Sequence, residues 1–226
     1  MTEADFIELK NFDSEDIGDV LVKIERSFDF KFGRNELSEI KTFGDLCDII
    51  VNKLQFVNVQ DCTSQQAFYK LRNAICNTQG LTNEEINTGS ELKTIFPRAS
   101  RRRKVKQLES FLGFSLNILS PPNWLLATII FIFLVSVIGL FFKWQEGLIG
   151  IAFCIICFNL SNRLGKEINL KTVGQLADKM ANEHYLKSRR NVKTVNSQEV
   201  VEKTRNLFAI GLDLSQSALT RDATFI

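Results

Sequence analysis

The chain has 226 residues, with 28 basic against 26 acidic side chains and a formal net charge of +2. That near-balance argues against a general nucleic-acid binder. The 45% hydrophobic content averages an apolar centre with two highly charged flanks, which argues against a single globular domain. The N-terminal MTEADFIELKNFDSED is acidic and lacks a basic stretch followed by an apolar one, so it does not read as a cleaved signal peptide. Ile17, Val20, Leu21, Ile24 and Phe28 then fall at helical spacing, one buried stripe on a charged segment. The alternating Phe28, Phe30 and Phe32 read as a short extended piece or as helix-end packing. In IKTFGDLCDIIVNKL, residues 40–54, Thr42 caps a helix with Asp45 three residues on. Phe43, Leu46, Cys47, Ile50 and Leu54 share one face of that helix. Thr63 with Gln66 makes a second capping pattern ahead of a stripe of Phe68, Leu71 and Ile75, with Gly80 as the stop. Residues 81–97 read as a loop with a short helical turn.

Arg98 and the RRRKVK of 101–106 precede the apolar centre. They read either as a topology signal on a solvated face or as a contact for anionic lipid headgroups. Pro122 with Asn123 opens WLLATIIFIFLVSVIGLFF, residues 124–142, which carries no charge. As a helix this run is about 28 Å long, close to the ~30 Å hydrocarbon core of a bilayer. Its polar side chains, Thr128 and Ser136, can return hydrogen bonds to the helix backbone. A second apolar run, 147–160, is about 21 Å long as a helix, and spans by thinning the bilayer or by using Trp144 as an interfacial anchor. The expectation is a two-span hairpin with a tight KWQEG tip; the rival is one span plus an interfacial or re-entrant segment. Basic residues gather on both outer flanks, downstream as Arg163, Lys166, Lys187, Arg189, Arg190 and Lys193, whereas Lys143 stands alone in the tip. Positive-inside logic therefore puts both arms and both termini in the cytoplasm of a multi-pass membrane protein.

The polar arms repeat each other. IKTFGDLCD at 40–48 matches LKTVGQLAD at 170–178, and SQQAFYKLRNAI at 64–75 matches SQEVVEKTRNLF at 197–208. Thr172 with Gln175 repeats the capping arrangement of Thr42 with Asp45. Two matches in the same order favour a degenerate duplication over chance.

IERSFDFKFGRNELSEIKTFGDLCDIIVNKL is similar to the second half of acyl carrier proteins, where an amphipathic helix ends in an acidic-Phe step and leads through an extended turn to a closing helix. NLFAIGLDLSQSALTRDATF resembles the family's first helix and the loop that leads to its modified serine, and residues 81–96 are a looser version of that loop. The resemblance implies a phosphopantetheine arm on a serine in an Asp-Ser-Leu motif at the start of the second helix. Ungapped alignment puts Asp13 and Ser14 on that Asp-Ser pair, with Glu15 in place of Leu and Lys10-Asn11-Phe12 in place of the usual approach. Ser14 is thus the candidate site for 4'-phosphopantetheine, with Asp13 beside it; the plain alternative is a helix N-cap. The pieces come in permuted order, so either 64–96 or 197–226 packs on residues 10–54.

Other chemistry has little material. There is one histidine, His184, which reads as an exposed helix end, and no phosphate-binding glycine loop. Cys154 and Cys157 are spaced CxxC but lie in the apolar FCIICF, where they read as small apolar side chains, not a metal site. No catalytic or metal-ligating set emerges, and an enzyme is the least favoured class. The expected fold is all-α, a transmembrane helical hairpin flanked by small acyl-carrier-like helical bundle segments. It comprises acyl-carrier-like helices over 1–57, a helical segment with loop over 58–97, a basic juxtamembrane segment over 98–122, the hairpin over 123–160 and a second, incomplete repeat over 161–226. The expected function is a membrane-anchored carrier module presented to acyl- or lipid-handling enzymes, its partners being membrane lipids and those enzymes and not nucleic acid. The alternatives are an unmodified adaptor that keeps the fold for protein–protein contacts, and a hairpin that only shapes or binds the membrane.

Overall fold

The computed structural model of the chain describes residues 9, 12–33, 35–38 and 40–225, without the side chains of 162 and 163. These residues are mostly helical: α1 Ser14–Phe28, α2 Phe43–Lys53, α3 Thr63–Gln79, α4 Leu92–Ile95, α5 Arg101–Leu112, α6 Asn123–Gly139, α7 Trp144–Leu164, α8 Val173–Glu183, α9 Tyr185–Ser188 and α10 Ser197–Gly211. Four two-residue strands join them: β1 Val57–Asn58, β2 Leu119–Ser120, β3 Glu167–Ile168 and β4 Thr194–Val195. The chain divides into two compact units, Met1–Leu71 with Leu176–Ile226, and Arg72–Gln175.

The first unit joins the two ends of the chain. Helix α1 starts where Asp13 accepts the Glu15 N–H at 3.0 Å and stops where Asp29 turns left-handed, φ 52°. The expected stripe is buried at Val20, Ile24 and Phe28, and half-buried at Ile17 and Leu21. In α2 all five expected residues, Phe43, Leu46, Cys47, Ile50 and Leu54, are buried. The Thr42–Asp45 capping box is present, with Thr42 N–H donating to Asp45 at 2.9 Å and Asp45 N–H to the Thr42 hydroxyl at 3.1 Å. Helix α10 packs against both α1 and α2, setting Phe208 edge-on to Phe43 at 5.5 Å. Burying such a phenylalanine contributes about 1.5–3 kcal/mol. After α10 the tail returns along α2: Gly44 N–H donates to Arg221 O at 2.8 Å, Phe43 N–H to Ala223 O at 2.8 Å, and Phe225 N–H to Lys41 O at 2.9 Å. Residues 197–225 are therefore a segment that packs on α1 and α2. Strands β1 and β4 pair in parallel.

The second unit repeats several of these contacts. Gln175 Oε1 accepts the Lys171 N–H at 2.7 Å while Gln175 N–H donates to the Thr172 hydroxyl at 3.3 Å. Gly174 N–H donates to Thr88 O at 2.8 Å, and Leu92 N–H to Lys171 O at 3.0 Å, so the loop after α3 lies along the start of α8. A third likeness escaped the sequence reading. Phe32 N–H donates to Glu25 Oε1 at 2.8 Å after a helix ending left-handed at Asp29, and Leu116 N–H donates to Glu109 Oε1 at 2.7 Å after a helix ending left-handed at Gly113. Helix α5 thus ends as α1 does, and it buries Arg101, Val105 and Leu108. The stretch expected as a solvated basic segment is a packed helix with one basic side. At Thr63 the expected cap does not form: the Thr63 hydroxyl donates to Glu199 and the Gln66 amide to Asp61.

Also within the second unit, α6 and α7 pack antiparallel. Gly150 faces Ser136, and the Cys154 thiol donates to Ile129 O at 3.8 Å. The sequence places the longer apolar helix first; the structure reverses this. α6 stops at Gly139, and Leu140–Lys143 makes the turn in place of KWQEG. α7 takes in Trp144–Glu146 at one end and runs on to Leu164 at the other, because helix propagation needs backbone hydrogen bonds and not apolar side chains. Among the described residues one helix, α7, is long and apolar enough to cross a membrane, while α6 is a shorter apolar helix of 17 residues.

Candidate functional site

The surroundings of Ser14 are assembled from three stretches of the first unit. Leu9 is fully buried in the core, and its N–H donates to Thr224 O at 2.6 Å. Phe12 N–H donates back to Leu9 O at 3.1 Å, and Asp13 follows in an extended conformation. The tail bonded to Leu9 is the Thr220–Phe225 segment that also runs along α2, so it bridges the approach to Ser14 and the start of α2.

Asp13, not Ser14, is the N-cap of α1. Ser14 is the first helical residue, exposed, and its hydroxyl makes no hydrogen bond among the described residues. The N-cap alternative for Ser14 is thereby corrected: the carboxylate next to it takes the helix N–H first. Asp13, Glu15, Asp16 and Asp19 are exposed around it, and none is in an ion pair among the described residues. Glu25, further along α1, is turned inward instead. It pairs with Lys31 at 2.5 Å and accepts the Phe32 N–H.

Two other reactive side chains, Cys47 and His184, are placed away from solvent. Cys47 is fully buried beside Phe43 and Ile50, and burial, partly offset by Arg221 and Arg205, pushes its thiol up to about 12. His184 is 6% exposed, which corrects the expected exposed helix end: it sits at the turn from α8 into α9, closed over by the bundle. No group of three or more His, Cys, Asp or Glu side chains is arranged for a metal among the described residues. A polar node missed by the sequence reading centres on Arg189, which is 1% exposed. It donates to the Thr63 hydroxyl at 2.6 Å, to the Tyr185 hydroxyl at 3.3 Å and to Asp61, with Glu199 at 3.7 Å. It fastens the start of α3 to α9 and α10. In sequence Arg189 looks like one more flanking positive charge; its burial depends on residues more than a hundred positions away.

No family model matches the chain, and no solved structure matches it. A curated acyl carrier protein from Coprothermobacter proteolyticus is 38% identical over 52 residues, which is 23% of this chain. The match spans 63% of that relative's length. The chain, mostly helical throughout, thus contains an acyl-carrier-like region.

Proposed function

We propose that this chain is a membrane-anchored, acyl-carrier-like protein whose Ser14 carries a phosphopantetheine arm and which itself catalyses no reaction. The observation that carries the reading is the exposed Ser14 hydroxyl at the first residue of α1, without a hydrogen bond among the described residues and beside an aspartate that takes over the capping duty. Bound there, the arm supplies a terminal thiol that holds an acyl group as a thioester. The protein's part is to present it: Asp13, Glu15, Asp16 and Asp19 offer a docking face to basic surfaces of acyl- or lipid-handling enzymes. The α6–α7 pair is the anchor. Its outward residues are apolar, with Phe131 67% exposed and Ile149 70% exposed, a band that suits lipid better than water. Thr128, Ser136 and Asn159 return their hydrogen bonds to the carbonyls four residues back, as a lipid-facing helix requires. Helix α7 is about 31 Å long; α6 is about 26 Å and is extended by the apolar turn of Leu140, Phe141 and Phe142. With basic residues on both outer flanks, both arms lie on the cytoplasmic side. Holding the carrier on the surface raises its local concentration for partners on that surface. The matching contacts at Gly44 and Gly174, and at Glu25 and Glu109, support the reading that the two units descend from one duplicated module.

Intact-mass spectrometry of the full chain, purified in detergent from its native host, tests the carrier role. The expected result is an increase equal to one phosphopantetheine arm, mapped to Ser14 and absent from Ser14→Ala. An unmodified chain, from a preparation in which the host's other carriers are modified, overturns it. A second reading, an unmodified adaptor, is favoured by two departures. Glu15 stands where the family has Leu, and the position in α5's approach that corresponds to Ser14 is Arg98, ion-paired with Glu167 at 2.8 Å.

A further inference from the structure

We infer that the second unit holds a binding site for the headgroup of an anionic glycerophospholipid, formed by Arg102, Arg103, Lys106 and Lys166. The inference rests on the membrane reading above. These side chains, with Ala99 and Ser100, line an open cavity of about 530 Å³ that has no carboxylate in its wall. All four cations are exposed, and none is in an ion pair among the described residues. The nearby acid is already engaged: Glu167 pairs with Arg98 at 2.8 Å and lies 3.8 Å from Arg101.

Two further features single this patch out from an ordinary solvated face. First, Arg101, Arg102, Arg103 and Lys104 fill the opening turn of α5, which has no acidic residue. Positive charge is disfavoured at that end of a helix, and four like charges in one turn repel each other. Such a local conflict is relieved by an anion and marks a functional position more often than a neutral one. Second, the patch is fixed to the exit of the apolar helices. The buried Arg101 guanidinium donates to Lys166 O at 2.7 Å and to Phe96 O at 2.7 Å, so the residue two beyond the end of α7 is fastened to α5. Pairing of Leu119 with Ile168 and Ser120 with Glu167 closes the same end. There is no room for a side chain at Gly165, where a Cβ would lie 2.5 Å from the Ser120 carbonyl carbon.

The cavity therefore stands at the level where α7 leaves the bilayer, which is where lipid phosphates lie. Gly165, the neighbour of Lys166, also lines an apolar groove between α6 and α7 of about 320 Å³, bounded by Leu125, Ile129, Ile132 and Leu160. A lipid with its phosphate among the four cations has apolar surface for an acyl chain within one residue of it. The occupant is a lipid rather than free phosphate, because the cations are anchored to a helix end and face the headgroup layer.

The test uses the full chain in neutral detergent, titrated with short-chain phosphatidylglycerol, short-chain phosphatidylcholine or inorganic phosphate and read by native mass spectrometry. Wild type is expected to bind phosphatidylglycerol in preference to phosphatidylcholine. The variant R102Q/R103Q/K106Q/K166Q is expected to bind it more weakly by on the order of a thousandfold, given the known contribution of each basic residue near an anionic surface. A charge-matched variant at exposed lysines elsewhere, K23Q/K41Q/K93Q/K171Q, is expected to keep the preference. Equal loss in the matched variant, an unchanged preference in the first variant, or displacement of the lipid by equimolar phosphate overturns the site. Alkaline carbonate extraction of wild-type membranes separates the two levels of failure. A chain that resists extraction but shows no lipid preference overturns this site alone, whereas a chain released into the soluble fraction overturns the membrane reading with it.

Discussion

Asp13 and Ser14 are adjacent, alike in polarity and different in duty. The carboxylate accepts the Glu15 N–H and so closes the open end of α1, while the hydroxyl beside it points to solvent without a partner among the described residues. Replacing Asp13 by Ala is expected to destabilise the first unit by about 1 kcal/mol, the usual worth of an N-cap. Ser14→Ala is expected to stay within about 0.5 kcal/mol of wild type, as for a surface substitution away from any such feature. Urea denaturation followed by circular dichroism measures both. If Ser14→Ala proves the costlier of the two, the serine is a structural cap and its availability for modification is lost as an argument. At this scale the sequence was legible wherever a side chain answers to near neighbours, as Thr42 does to Asp45. It was not legible at Arg189, whose partners Thr63 and Asp61 are brought in from a distant part of the chain.

Among the elements, the paired helix starts of α2 and α8 show why the Lys-Thr-x-Gly pattern occurs twice. At Gly44 an added Cβ would lie 2.9 Å from Arg221 O, and at Gly174 it would lie 2.9 Å from Thr88 O. In each unit a loop carbonyl accepts the glycine N–H at a distance that no side chain permits. Gly44→Ala must push the tail off α2, and is expected to destabilise by about 1–3 kcal/mol, as overpacking does. Gly18, in the middle of α1, has nothing within 4 Å of its added Cβ, so Gly18→Ala is expected to stabilise by about 0.5–1 kcal/mol through helix propensity. Opposite signs in chemical denaturation confirm the distinction; two stabilising substitutions would mean that the tail does not lie on α2. The stripes of α1 and α2 could be read from spacing because apolar residues recur there without interruption. Helix α5 could not, since its basic residues surround Val105 and Leu108 and mimic a solvated segment. The ends of α6 and α7 differ from the expected ones for a related reason: hydropathy marks where lipid is tolerated, not where backbone hydrogen bonds begin and end.

At the scale of the whole molecule, the first unit joins two separated stretches of chain, Met1–Leu71 and Leu176–Ile226, while the second is one continuous stretch, Arg72–Gln175. Local pattern cannot choose between partners of equal amphipathicity; the place of 197–225 is seen only in its backbone contacts along α2. The same limit applies to the apolar pair, where length alone leaves α6 marginal and the turn becomes decisive. Leu140, Phe141 and Phe142 lengthen the apolar stretch, and the charges next to them, Lys143 and Glu146, pair at 2.8 Å. A neutral tip of this kind lowers the cost of moving it across the hydrocarbon core. Single-cysteine labelling decides whether it crosses. In a chain whose five native cysteines are replaced, Gln145→Cys is expected to react with a membrane-impermeant maleimide added outside intact cells. A chain retaining Cys62 alone, exposed in the first unit, is expected to react only after permeabilisation. Labelling of both positions from the cytoplasmic side alone would make the pair a re-entrant loop. On the proposed reading the chain would then still be held at the membrane, by a wedge in one leaflet and not by two spans.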